Sequence, residues 1–156
     1  MKKLIGLAVL LLGFVMIISW STEEPPSMHT IEGTWELQSF YNYDGENIID
    51  TVPLAEGYRQ VKMYYNGFIM WTRTTSSDTK DPDGNDVVGR FGYGTYVITE
   101  NELIETIEYG DKGMMTALDT VRQFSFELVL QDQTYSQISS DEEGNRTFSE
   151  NYLRLD

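Results

Sequence analysis

The chain has 156 residues, enough for one domain, and sets 25 acidic side chains against 11 basic ones for a formal net charge of −14. A field of that sign repels nucleic acid and anionic lipid headgroups, so no nucleic-acid partner is expected. With no cysteine and a single histidine, His29, the chain has no disulfide framework, thiolate metal site or cysteine nucleophile, and no histidine near a strand nucleophile for hydrolysis.

Residues 1–21, "MKKLIGLAVLLLGFVMIISWS", place two lysines ahead of an apolar run from Leu4 to Trp20, with Ser19 and Ser21 at the small-residue spacing of a cleavage site. They read as a signal peptide, and the protein as exported, periplasmic or extracellular. The alternative is an uncleaved anchor, because the run sits at the short edge of the ~17–25 residues that cross a bilayer. Only then does the chain have a membrane partner. No cysteine follows the run, which rules out a bacterial lipid attached through one. Residues 22–30, beginning "TEEPPS", read as a linker, and 31–156 as the folded domain.

In that domain helical periodicity is nearly absent. Alternating stretches rich in Val, Ile, Thr, Phe, Tyr and Trp predict strands near Gly33–Tyr41, Tyr58–Tyr65, Phe68–Thr74, Val87–Ile98, Glu102–Tyr109, Val121–Gln131, Thr134–Ser140 and Arg146–Leu155. Asn66-Gly67 is a two-residue type I′ signal, and "TENE", "QDQT" and "DEEGN" suit tight hairpins, so consecutive strands are antiparallel neighbours. "IIDTVPLAEG", between the first two strands, suits a short helix or a cap. The Met114-Met115 pair in "GDKGMMTALD" suits a loop end covering the mouth, or local packing. The fold class is all-β, an antiparallel up-and-down barrel of about eight strands, since closure removes exposed edges; a sandwich is the alternative.

The stretch "GRFGYGTY", Gly89 to Tyr96, has the spacing of a phosphate-binding loop. Such a loop opens a helix, whereas this one continues as a strand into a hairpin. Gly92 and Gly94 are therefore read as devices of curvature and internal space, and a Gly94→Leu change as one that blocks a cavity and spares the fold.

Period-two alternation divides the faces. Pairing Ile98 with Leu103 sets Tyr96 opposite Glu105, Gly94 opposite Ile107 and Gly92 opposite Tyr109, and groups Tyr96, Ile98, Leu103, Glu105, Ile107 and Tyr109 inward. Across Asn66-Gly67 the more apolar set, Val61, Met63, Tyr65, Phe68, Met70 and Thr72, is expected inside, with Trp71 opposite Lys62 on the outside. Pairing Leu130 with Tyr135 sets Leu128 opposite Gln137. Arg90 shares the parity of Gly92 and reaches toward the mouth.

"IEGTWEL" carries Gly33-x-Trp35 on the first strand and "ENYLRLD" carries Arg154 on the last. This resembles the lipocalin (calycin) pattern, in which the indole of an N-terminal Gly-x-Trp packs near a C-terminal arginine. "YRQVKMYYNGFIMWTRT", "GYGTYVITENELIETIEY" and "ENYLRL" resemble the bacterial lipocalin-like domain proteins, over roughly Ile31 to Asp156. The resemblance implies that Gly33, Trp35 and Arg154 close one end of a lipocalin-like β-barrel. It also turns Phe148, Glu150, Tyr152 and Arg154 inward on the last strand.

The first functional reading is a noncatalytic protein binding a small hydrophobic or amphipathic molecule in its interior, without cofactor. The candidate lining is Met63, Met70, Gly94, Tyr96, Glu105, Ile107, Gln137 and Glu150. Glu105 has no obvious basic partner in this scheme, and a buried carboxylate needs one. Two alternatives remain: a scaffold module at the cell envelope acting through its outer surface around Trp71, and a small acid-base enzyme using Glu105 with Tyr96 or Tyr109. No metal site is expected: "DPDGND", Asp81 to Asp86, departs from a calcium loop where glycine and the bidentate glutamate belong and reads as a turn.

Overall fold

The computed structural model describes residues 30–74, 78–81 and 83–156, residue 74 by its backbone alone. The expected targeting segment, the linker as far as residue 29, and His29 lie outside the described residues. In chain order the elements are β1 (Gly33–Asp44), β2 (Asn47–Pro53), β3 (Arg59–Tyr65), β4 (Phe68–Thr74), β5 (Arg90–Thr99), β6 (Glu102–Gly110), α1 (Lys112–Leu118), β7 (Gln123–Leu130), β8 (Thr134–Ser140) and β9 (Arg146–Arg154). Eight of the strands are those expected from the sequence.

All strand pairings are antiparallel, and β3 to β9 follow one another in sequence order. β1 closes the ring: one edge pairs with β9, and the other pairs with β3 over Gly33 to Glu36 and with β2 over Ser39 to Asp44. The segment "IIDTVPLAEG" thus supplies most of a ninth strand, β2, where a helix or cap was expected. Its Ile48 and Ile49 are exposed, so hydrogen bonding to β1 rather than burial holds it. Between β2 and β3 the sheet forks. The Asn66-Gly67 turn joins β3 to β4 with φ of 49° and 80°, both positive as type I′ demands.

One end of the ring is plugged. Trp35 is fully buried and donates its indole N–H to the Ile31 carbonyl at 2.7 Å. Arg154, opposite it in register, lies over the indole at 4.1 Å from the ring centroid. Its guanidinium donates to the carbonyls of Glu32 (2.8 Å), Thr30 (2.6 Å) and Asp132 (3.2 Å). A planar guanidinium can satisfy three backbone oxygens while stacking, and a desolvated cation–π contact of this kind contributes about 2 kcal/mol. Gly33 makes the approach possible: its φ is +135°, and a Cβ there would stand 2.5 Å from the guanidinium. Leu37, Ile69, Leu103, Tyr135 and Tyr152 pack onto the same cluster, with Tyr135 edge-on to Trp35 at 4.9 Å.

The faces of β3 and β4 are reversed from expectation. Their register is as expected, Met63 opposite Met70 and Lys62 opposite Trp71. The inward set, however, is Gln60, Lys62, Tyr64, Ile69 and Trp71, while Met63, Tyr65, Phe68 and Met70 are all 45% exposed or more. Choosing the more apolar face was wrong here because Lys62 and Gln60 have charged and hydroxyl partners inside the ring, which outweigh the transfer cost.

A bulge reverses Tyr109 as well. Glu108 is the extra residue between the pairs Gly94–Ile107 and Tyr93–Tyr109, and it turns Tyr109 outward to 63% exposure. Gly92 therefore faces Gly110 rather than Tyr109, and the space above it is filled by the Trp71 ring, with a Cβ on Gly92 landing 2.5 Å from the indole nitrogen. Gly94 leaves no gap either, since its Cβ would meet the Thr106 carbonyl oxygen at 1.9 Å. The expectation that Gly94→Leu spares the fold is thereby reversed, because a backbone oxygen cannot move aside. Even Gly94→Ala is expected to destabilise by about 1–3 kcal/mol, the usual cost of overpacking. Urea unfolding measures this, and an unchanged midpoint would contradict the close approach.

Candidate ligand-binding site

Above the plug the inward side chains become polar. Lys62, 3% exposed, donates from Nζ to Glu105 Oε1 (3.0 Å) and Oε2 (3.3 Å) and to Gln137 Oε1 (2.6 Å), with Glu150 Oε2 at 3.8 Å. Tyr64 donates its hydroxyl to Glu105 Oε1 at 2.5 Å, and Tyr152 to Glu150 Oε2 at 2.5 Å. Gln60 donates to the Tyr152 oxygen at 2.7 Å. Burial first, then the charge of Glu105, pushes the Tyr64 phenol well above its ordinary range; burial and Glu150 do the same for Tyr152. Both phenols stay protonated and serve as donors to the carboxylates.

This layer forms the floor of an inner cavity of about 270 Å³, walled by Trp71, Ile107 and Phe124 and roofed by Met114 and Leu118 of α1. The methionine pair thus falls on a short helix at the ring's open end. Asp111 caps it, its Oδ1 accepting from the Met114 N–H at 3.0 Å and from Arg90 Nη1 at 3.1 Å. The backbone N–H of Met114 is the main cause holding the Asp111 carboxyl below its ordinary range. Beside the inner cavity, in the fork between β2 and β3, lies a cleft of about 760 Å³ with Phe40, Leu54, Tyr58, Val87 and Val88 in its wall.

Arg73 and Arg90 line both spaces and are directly opposite each other on β4 and β5. Like charges so placed repel. Arg90 has Asp111, but among the described residues no carboxylate pairs with Arg73. Its guanidinium lies 5.8 Å from the Tyr58 ring centroid, and its buried Nε finds no acceptor. An orphan donor of that kind costs about 1–3 kcal/mol.

The structure brings Glu105, Ile107, Gln137 and Glu150 together at the inner cavity as proposed from the sequence. Gly94 is inward but buried against backbone. Tyr96 is inward, edge-on to Tyr64 at 5.0 Å, and burial with the Glu32 charge raises its phenol; it does not line the cavity. Met63 and Met70 belong to the outer face. Lys62, Arg73 and Trp71 were missed as lining residues. The demand of Glu105 and Glu150 for a buried cation is the signal that could have found Lys62, the only lysine within a predicted strand.

A ringed antiparallel sheet, plugged by Gly33, Trp35 and Arg154 at one end and cupped over a cavity at the other, is the lipocalin-like fold that the sequence resemblance implies. No protein-family model matches the chain, and no curated protein matches it. Among solved structures, it is similar to a lipocalin-like protein from Bacteroides uniformis, at 13% identity and a TM-score of 0.47 over 80% of this chain and 97% of that one. An uncharacterised protein from Bacteroides eggerthii matches at 13% identity and 0.47, over 80% and 98%. Lobster apocrustacyanin A1 matches at 13% and 0.42, over 85% of this chain and 65% of that one.

Replacing Lys62 by Met strands Glu105 and Glu150 without their cation and is expected to lower stability by about 3–5 kcal/mol. Adding Glu105→Gln to that variant neutralises the nearer carboxylate and is expected to restore more than half of the loss. Urea denaturation of both variants checks this; a neutral single change would show that Lys62 does not balance the layer.

Proposed function

We propose that the chain is an exported, noncatalytic lipocalin-like protein that holds one small hydrophobic or amphipathic molecule at the open end of its ring. The observation that carries this reading is the pair of adjoining spaces, about 270 and 760 Å³, that share Arg73 and Arg90 in their walls. Together they reach the ~300–1,000 Å³ of small-molecule sites, and they combine apolar surface with a few fixed polar groups, as such sites do. Binding is favoured over turnover because Glu105 is held by Lys62 and Tyr64, and Glu150 by Gln60 and Tyr152. A general base needs a free lone pair within reach of substrate. The enzyme alternative also loses its partners: Tyr109 points outward, and the charge that acts on the Tyr96 phenol is that of Glu32. The outer-surface alternative loses Trp71, which is half-buried against the core.

The neutral fluorescent probe N-phenyl-1-naphthylamine is expected to bind with one-to-one stoichiometry. Leu118→Trp, which fills the roof of the inner cavity, is expected to weaken it at least tenfold while leaving the melting temperature within a few degrees. Absence of saturable binding to the unaltered protein would overturn the reading.

Export rests on residues 1–21. Intact mass and N-terminal sequencing of the protein from its native cell are expected to give a chain beginning after Ser21, and a membrane-bound chain beginning at Met1 would support the anchor instead.

A further inference from the structure

We infer that the ligand carries a single negative charge, a carboxylate, and that this head sits between Arg73 and Arg90 with its apolar tail in the cleft between β2 and β3. The assignment rests on the binding role proposed above and adds the chemical class of the ligand.

Three observations meet at this point. The first is the orphan: Arg73 Nε is buried, has no acceptor and belongs to a side chain with no carboxylate partner among the described residues. The second is the opposition of Arg73 and Arg90 on neighbouring strands, in which Asp111 neutralises only Arg90. Two facing guanidiniums with one carboxylate leave a net positive charge, and an incoming anion would convert their repulsion into two attractions. The third is the wider charge distribution. The inner cavity is lined by three cations, Lys62, Arg73 and Arg90, against two carboxylates, Glu105 and Glu150, in a chain whose formal net charge is −14. That excess is confined to the inner cavity, since the adjoining cleft sets Arg73, Lys80 and Arg90 against Glu56, Asp81 and Asp86.

The guanidinium fork matches a carboxylate in two parallel N–H···O bonds, stronger than neutral ones. The cleft is lined by Phe40, Leu54, Val87 and Val88, apolar surface suited to an alkyl tail, and also by Glu56, Lys80, Asp81 and Asp86. The floor takes no part in holding the head, because Lys62 is already occupied by Glu105 and Gln137.

The test uses three probes with the same tail: dodecanoate, dodecanol and dodecylammonium, each titrated calorimetrically into the protein at low and moderate salt. Dodecanoate is expected to bind at least tenfold more tightly than dodecanol, with the difference shrinking as salt rises, and dodecylammonium most weakly. In Arg73→Gln the ratio of dodecanoate to dodecanol affinity is expected to fall to about one, whatever the change in dodecanol binding itself, and Arg73→Lys should recover only part of that ratio. Equal binding of dodecanoate and dodecanol to the unaltered protein would overturn the carboxylate assignment and leave the cavity reading standing. Preference for dodecylammonium would overturn it in favour of Glu150, and binding of none of the three would overturn both readings. The comparison among probes needs no variant, so a folding defect in Arg73→Gln leaves it decisive.

Discussion

The buried ammonium of Lys62 sets the terms for the rest of the molecule. A lysine 3% exposed is tolerated only with its charge balanced and its three donors engaged, and Glu105 and Gln137, with Glu150 nearby, meet that requirement from three other strands. Once Lys62 points inward, alternation along β3 forces Gln60 and Tyr64 inward and Met63 and Tyr65 outward. The Asn66-Gly67 register passes the same choice to β4, which brings Ile69 and Trp71 in. Trp71 then needs room, which Gly92 gives it on the next strand. A single ion pair thereby decides the faces of two strands and the position of a cavity wall.

Much of this organisation was legible in the sequence, and what was missed has a common cause. Strand positions, antiparallel order and hairpin registers follow from turn chemistry and β-forming residues, which act locally, as the type I′ geometry at Asn66 and Gly67 illustrates. The Gly33, Trp35 and Arg154 closure was recognisable because its residues are distinctive. The faces of β3 and β4 were misjudged because hydrophobic content was allowed to decide between them, whereas Lys62 is buried on account of partners 43 and 75 residues away. Tyr109 was misjudged for a different reason: one bulge residue, Glu108, shifts parity opposite Gly94, a glycine that was read as curvature and internal space rather than as the mark of a bulge. β2 was overlooked because a short strand at a fork, paired along one edge and barely buried, carries a weak amphipathic pattern.

The candidate site was half visible for the same reasons. Glu105, Ile107 and Gln137 follow from alternation, Glu150 from the resemblance that turned Arg154 inward, and all four line the inner cavity. Arg73 and Arg90 face each other only through a long connection, so neither strand alone reveals the pair. The cleft itself is a product of topology: β1 gives its edge first to β3 and then to β2, and the divergence of those two strands opens the space.

The two ends of the ring embody opposite solutions to the same problem of buried polar groups. At the closed end Arg154 satisfies three carbonyls and a ring face, and Trp35 satisfies a fourth carbonyl, so that nothing remains for a ligand to gain there. At the open end, Arg73 Nε and Asp111 Oδ2 are both buried without partners. Full satisfaction gives rigidity, and unmet hydrogen-bonding capacity beside open volume gives an incoming molecule something to supply. Folds of this kind host many functions, and the difference between a filled ring and a binding protein lies in such local deficits rather than in the strand order. In this chain the deficit lies in Arg73 and in the Asp111 that pairs with Arg90, at the junction of two cavities, which is where selectivity for a ligand would arise.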